Sequence, residues 1–334
     1  MPSFERESKR IVIAGASSLL GAELKSLLEE SKFGGWDFRL VDEEEAAGTL
    51  TEAGGEPAVI QTVEEGSFDR ARFIFFTGSG TFTKTNFGAA KQAGGIVIDL
   101  SGAIAERPET ISWFPGIDAL CGVEFPRGGT AYAVPSAAAT AASMLSLSLQ
   151  PLGLQNLVFV CFQPVSEAGR AGIEELESQT SQLLSFQSVG KPVFDAQVAF
   201  ALLDRFGPAS SQDLLSARAR MRSEIEACIA GKTGLPALQL LHVPVFYGVT
   251  FAACAQLSPE ANCPRIAHAC NSAGFSLIRG DEALSNISVA GESFIQLAEP
   301  QADPASLGTW WLWGAADNIR LPAANAVKLV EMLA

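Results

Sequence analysis

The chain has 334 residues, 48% of them apolar and 18% charged, with a formal net charge of −14. That length points to two cores, because single cores stop growing near ~250–300 residues. The negative charge repels nucleic acid and anionic membrane surfaces and argues against both as partners. The opening MPSFERESKR lacks an apolar h-region, so no signal peptide is expected. No apolar run reaches the ~18–20 residues of a membrane span, and the expected location is cytoplasmic.

RIVIAGASSLLGAELKSLLEES reads as strand, glycine turn and helix. Ile11, Val12 and Ile13 form the continuous β-branched run of a strand buried on both faces. Leu20, Leu24, Leu27 and Leu28 then fall on one helical face. WDFRLVD is a second strand and RFIFFTG (72–78) a third. A helix follows up to Gly94-Gly95, and GIVIDLSG (95–102) is a fourth strand. Strands alternating with helices predict a Rossmann-type, doubly wound parallel sheet over residues 1–134. A short strand, Thr130 to Val134, runs into Pro135-Ser136 and a helix built almost wholly of alanine.

The texture then changes. NLVFVCFQPVSEAG reads as a long strand leading into a helix, and residues 235–257 as one long strand or a pair. Amphipathic helices are expected at 211–230 and 259–273. The tail is a strand, a polar turn and a closing helix. This mixture predicts an α+β domain over 135–315 with an open mixed sheet and helices on one side, residues 316–334 packing back on the first domain.

The glycine turn after the first strand has the context of a nucleotide phosphate site. Gly15 permits the tight turn, Ser17, Ser18 and Leu19 stand at the helix start, and Gly21 follows. The middle position is Ser18 rather than glycine, and an ordinary tight turn would read the same way. Asp42 lies where an acidic residue would accept hydrogen bonds from a ribose, with Glu43, Glu44 and Glu45 directly after it. Four carboxylates there favour NAD over NADP as the expected cofactor. The six cysteines include no CxxC pair and are expected to be reduced. Cys263, His268 and Cys270 lie close together, but their spacing fits no standard zinc pattern and no metal is expected.

Four stretches taken together, IVIAGASSLLGAEL, GGIVIDLSGA, FQPVSEAGRAGIEEL (162–176) and WGAADNIRLPAANAV (313–327), resemble the aspartate-semialdehyde dehydrogenases. That family reads Val-Ile-Asp-x-Ser after the fourth strand, Gln-x-x-Ser-Gly-Ala-Gly before the long helix and Asp-Asn-Leu near the end. HVPVFYG (242–248) matches its Arg-Val-Pro-Val-x-x-Gly. The matches keep family order over nearly the whole chain, and their degeneracy is similar to that of the Usg-like branch.

The resemblance implies a nicotinamide nucleotide near Asn318, a homodimer formed through the second domain, and a cleft near Ser101, Ala105, Ser136, Gln163 and His242. The family's nucleophilic cysteine falls on Ala137 when anchored on Pro135, or on Ala138 when anchored on Thr140. Its acid/base histidine falls on Val249, its phosphate-binding arginine on Ala105 and its substrate-carboxylate arginine on His242. The substrate-orienting glutamine is kept as Gln163. A methyl group forms no thioester. Ser136 is expected to be a helix cap, since His242 and His268 are the only histidines and neither is an evident base for it.

Three functions follow: a silent homologue that keeps fold and dimer, an NAD(P)-dependent oxidoreductase acting on an aldehyde, semialdehyde or acyl group with altered chemistry, and an interaction protein. A silent scaffold lines its cleft with apolar residues, whereas a working enzyme needs an acid/base group there. The strand LVFVC and the cluster Trp310, Trp311 and Trp313 could be dimer surface or core.

Overall fold

A computed structural model describes residues 9–278 and 283–334. They divide into two compact units. The first takes the chain up to Pro115, then Phe125–Pro135 and Pro322–Ala334; the second takes Gly116–Glu124 and Ser136–Leu321. The first boundary thus falls at Pro135, and residues 116–124 lie with the second unit although they interrupt the first.

The first unit contains β1 (Arg10–Ala14), α1 (Leu19–Glu30), β2 (Asp37–Asp42), β3 (Leu50–Ala53), β4 (Glu56–Val59), β5 (Gln61–Thr62), β6 (Phe73–Phe76), α2 (Gly80–Gln92), β7 (Ile96–Asp99), β8 (Thr110–Ser112) and β9 (Ala131–Ala133). Seven strands form a parallel sheet in the order β5-β2-β1-β6-β7-β9-β8. Ile11 to Ala14 and Phe73 to Phe76 are fully buried, as a parallel sheet covered on both faces requires. The chain leaves β1 toward β2 on one side and later returns to add β6 on the other. The order therefore reverses beside the carboxyl end of β1, the usual ligand crevice of such sheets.

The second unit contains α3 (Ile117–Cys121), α4 (Ala137–Leu149), β10 (Asn156–Gln163), α5 (Gly169–Leu184), α6 (Leu214–Ile229), β11 (Ala237–His242), β12 (Val249–Gln256), α7 (Cys263–Ser272), β13 (Ser276–Ile278), β14 (Gln296–Ala298), β15 (Gln301–Ala302) and β16 (Thr309–Ala316). The closing helix α8 (Arg320–Leu333) begins here and has its body in the first unit. The sheet is mixed, in the order β11-β10-β12-β16-β14-β13, with β15 on β16.

Residues 235–257 form two strands that never pair with each other, because β10 lies between them, parallel to β11 and antiparallel to β12. Burial alternates along the central strands, so one face is core and the other open. Leu157, Phe159, Phe251, Ala253 and Leu312 point inward. The helix α4 is buried along almost its whole length, which explains its small residues: neighbouring elements can approach only where side chains are short.

The pleat also separates the tryptophans. Trp310 is 9% exposed and belongs to the core, whereas Trp311 and Trp313 stand on the open face at 46% and 37%. In β10, Leu157, Phe159 and Cys161 face inward, and Val158 and Val160 face out. No helix among the described residues is long and apolar enough to cross a membrane.

Candidate functional site

In the first unit the turn after β1 is built by backbone constraints. Gly15 has φ +93°, and a Cβ there would lie 2.2 Å from the backbone nitrogen of Gly78. A Cβ on Gly21 would lie 2.5 Å from the Gly15 carbonyl oxygen. Only glycine allows the β1 and β6 turns and the start of α1 to approach this closely.

Ser18 caps α1. Its hydroxyl accepts from the Gly21 N–H at 2.9 Å and donates to the Thr77 carbonyl at 2.9 Å. The side chain that replaces the middle glycine is therefore turned into the fold. The N–H groups of Leu19 and Leu20, at the first positions of α1, have no acceptor within the helix. Such a helix start suits an anion.

Asp42 is 6% exposed at the end of β2. One carboxylate oxygen accepts from the Ser17 N–H at 2.7 Å, the other from the Glu43 N–H at 2.8 Å. It thus fixes the glycine turn as well as standing at the crevice. A carboxylate offers about four lone-pair sites, so two remain for the hydroxyls of a ribose. The turn, the helix start and this carboxylate fit the diphosphate and ribose of a dinucleotide. A nicotinamide nucleotide held there would supply a hydride acceptor.

Ser101 and Ala105 lie beyond β7 in the same unit. Asp99, fully buried, accepts from the Ser101 hydroxyl at 2.6 Å, the Ser101 N–H at 2.8 Å and the Ile104 N–H at 3.1 Å. Burial raises its pKa, and those hydrogen bonds oppose the rise. The Ser101 hydroxyl is also 3.0 Å from Thr83 Oγ1, so it serves to shape this turn. Ala105 is buried at 5%.

In the second unit a small cavity opens where α4 begins. Its wall includes Ser136, Ala138, Cys161, Gln163, Glu167, Arg220 and Val249. Of the two candidate alanines, Ala138 lines the cavity, and Ala137, 2% exposed, faces the core. Ala138 is the residue reached by the register anchored on Thr140, and Ala137 the one reached by the register anchored on Pro135.

Ser136 is the N-cap of α4, with its hydroxyl 3.4 Å from the Ala139 N–H. That hydroxyl donates to Glu224 Oε2 at 2.6 Å, and the Ser136 N–H reaches the same oxygen at 3.1 Å. The buried Glu224 carboxylate on α6 thus sits on the positive end of α4. The sequence shows no sign of this partner, which is 88 residues away.

Cys161 lies on the cavity wall but supplies no replacement thiolate. It is 1% exposed, and burial, with Glu167 adding, pushes its thiol far above the ordinary range. Asn318 is 6% exposed. Its Oδ1 accepts from the Gly248 N–H at 2.9 Å, and its Nδ2 donates to Glu167 Oε1 at 3.0 Å and to the Ser166 hydroxyl at 3.1 Å. The amide is satisfied by this chain itself, which leaves it little capacity for a nucleotide.

His242 is not on the cavity wall. It is 1% exposed and lies against Phe194 and Phe206, ring centroids 5.7 and 5.4 Å away. Burial lowers its pKa to about 4. It is a core histidine on β11, positioned by backbone hydrogen bonds with Leu203. Of the trio near 263–270, Cys263 and His268 line one cavity, whereas Cys270 is turned into the core. Cys270 is fully buried, its thiol pushed up to about 12, while the Cys263 thiol lies 3.5 Å from Glu299. Among the described residues no group of three or more His, Cys, Asp or Glu could hold a metal ion.

A doubly wound sheet with a glycine turn, followed by a mixed-sheet unit with a cavity at a helix start, defines a two-domain dehydrogenase architecture. Residues 10–139 match the semialdehyde dehydrogenase NAD binding domain, and residues 146–321 match the semialdehyde dehydrogenase dimerisation domain. The chain belongs to the semialdehyde dehydrogenase family.

It is 28% identical to a USG-1 protein homolog of Azotobacter vinelandii, with 97% of each chain covered. It is 24% identical to aspartate-semialdehyde dehydrogenase 2 of Vibrio cholerae, again over 97% of each. The fold is that of a probable aspartate-semialdehyde dehydrogenase from Pseudomonas aeruginosa, with a TM-score of 0.86 at 24% identity over 97% of this chain and 98% of that one. Aspartate semialdehyde dehydrogenase II from Vibrio cholerae gives 0.85 at 23% identity, with the same coverage of both chains.

Proposed function

We propose that this chain is a semialdehyde dehydrogenase homologue without semialdehyde dehydrogenase activity, which binds NAD in its first unit and forms a homodimer through its second. One observation carries the reading. Ala138 and Val249 line the cavity, and the resemblance puts the family's nucleophile at Ala137 or Ala138 and its acid/base group at Val249. None of these side chains can attack a carbonyl or move a proton. The two arginine positions hold Ala105 and His242, both buried. In other covalent enzymes, loss of the nucleophile alone costs on the order of a millionfold in turnover.

Homodimer formation is supported by the dimerisation-domain match and by the open face of the mixed sheet. Trp311 and Trp313 are exposed there beside the half-buried Val158, Val160 and Phe162. A second copy covering this face would remove that apolar surface from water. The absence of long apolar helices among the described residues is compatible with a cytoplasmic location.

A steady-state assay with aspartate semialdehyde, inorganic phosphate and either NADP or NAD tests the reading. No turnover above the uncatalysed background is expected. Turnover near ~1 per second, within the ordinary enzyme range, overturns it.

A further inference from the structure

Where the family pattern reads Gln-x-x-Ser-Gly-Ala-Gly, this chain reads Gln163-Pro164-Val165-Ser166-Glu167-Ala168-Gly169. The last glycine is required by its backbone, with φ +70° at Gly169. Position 167 is not: it lies in a short 3-10 turn, Val165–Ala168, and has no positive φ. Glu167 therefore costs no backbone strain, and what distinguishes it from glycine is the carboxylate.

That carboxylate lies on the cavity wall beside Gln163, Ala138 and Val249. Its side chain is 26% exposed. Oε2 lies 3.9 Å from Arg220 Nη2, and Oε1 accepts from Asn318 Nδ2 at 3.0 Å. Arg220 in turn stands 3.9 Å from Glu224 Oε1. Arg220 is the one cationic residue of this wall among the described residues, and its guanidinium lies between two carboxylates. Asn318 does not depend on Glu167 for its position, because Gly248 and Ser166 already hold the amide.

We propose that Glu167 is the specificity-determining residue of this cavity: its carboxylate is an internal occupant that engages the Asn318 amide and the Arg220 guanidinium and so excludes small anionic ligands. A phosphate or carboxylate entering the cavity meets a like charge at the wall and finds the wall's one cation, Arg220, already flanked by two carboxylates. With glycine at 167 the Asn318 donor is released and Arg220 keeps a single carboxylate neighbour. The proposal rests on the reading of the chain as a silent homologue and explains what now fills the site.

Calorimetric titration with inorganic phosphate, and separately with succinate, tests it on the full chain. Wild type is expected to bind neither below ~10 mM, whereas Glu167→Gly should bind at least one of them ten times more tightly or better, about 1.4 kcal/mol. Glu167→Ala, which keeps the turn stiffer, guards against a local folding defect and should show the same gain. Arg220→Met in the Glu167→Gly background should return binding to the wild-type level. The proposal is overturned if both Glu167 variants bind within twofold of wild type, if wild type itself binds either anion at submillimolar concentration, or if the gain survives Arg220→Met. Dehydrogenase turnover by wild type would defeat the silent-homologue reading and leave these binding results as they stand.

Discussion

His242 makes a pH-dependent demand on the fold that can be worked through. The imidazole is 1% exposed between Phe194 and Phe206, and its Nε2 has no hydrogen-bond partner. Burial is the main cause that lowers its pKa from 6.5 to about 4, against the opposing effect of a hydrogen bond with the Val198 backbone. The folded chain thus binds this proton less readily than the unfolded chain. Stability is untouched well above pH 6.5, falls as pH drops through the window from about 6.5 to about 4, and levels off below it. At about 1.4 kcal/mol per factor of ten, the full effect is about 3 kcal/mol, of which about 2 kcal/mol is lost between pH 7 and pH 5.

His242→Phe keeps an aromatic ring in the cluster and removes the titration. Urea unfolding of both proteins at pH 7 and pH 5, at fixed protein concentration, isolates the term, because the other titrating groups cancel in the difference of differences. The variant should lose about 2 kcal/mol less than wild type over that interval, whatever its stability at pH 7. Equal losses, within ~0.5 kcal/mol, would refute the argument, since the imidazole would then be free to protonate in the folded state.

The remaining expectations concern assembly and nucleotide choice. Wild type should have the mass of a dimer by light scattering at micromolar concentration, and Trp311→Lys, which places a charge on the open sheet face, should shift it toward monomer; a monomeric wild type defeats the dimer. NAD should bind at least ~10-fold more tightly than NADP, about 1.4 kcal/mol, because a 2′-phosphate would stand near both Asp42 and Glu43 at a cost on the order of 1 kcal/mol per contact. Calorimetry decides this, and tighter NADP binding refutes it.

The features legible in the sequence were those with short-range causes. The β-branched run of β1, the glycine turn and the leucine face of α1 are neighbours in the chain, and each constrains the next. The hairpin of β3 and β4 was equally local. Gly54-Gly55, both at positive φ, is the two-residue loop between Ala53 and Glu56, and paired glycines are among the residues that such turns favour. The pairing of Ser136 with Glu224 is different in nature. Periodicity places each residue on its helix, but only the packing of α4 against α6 brings them together. The same holds for the placement of β10 between β11 and β12, which no local pattern in 235–257 encodes. For the three tryptophans, strand alternation put Trp311 and Trp313 on one face and Trp310 on the other, yet which face was core depended on where the helices packed.

The polar residues of the second unit's cavity show why retained side chains are a poor guide to retained chemistry. Asn318 is kept from the family's Asp-Asn-Leu, but its amide is held by Ser166, Gly248 and Glu167. Ser136 carries a hydroxyl just before Ala137 and Ala138, but that hydroxyl caps α4 and donates to Glu224. The positive end of α4, which would favour a thiolate formed there, already has the Glu224 carboxylate on it. A thiol introduced at position 138 would therefore meet a helix start that already carries the Glu224 carboxylate and a second carboxylate, Glu167, on the cavity wall, both of which disfavour its ionised form. On the proposed reading, the groups around position 138 satisfy one another rather than a ligand, so Ala138→Cys alone is expected to give no semialdehyde dehydrogenase turnover in the steady-state assay, and measurable turnover by that variant would count against the reading.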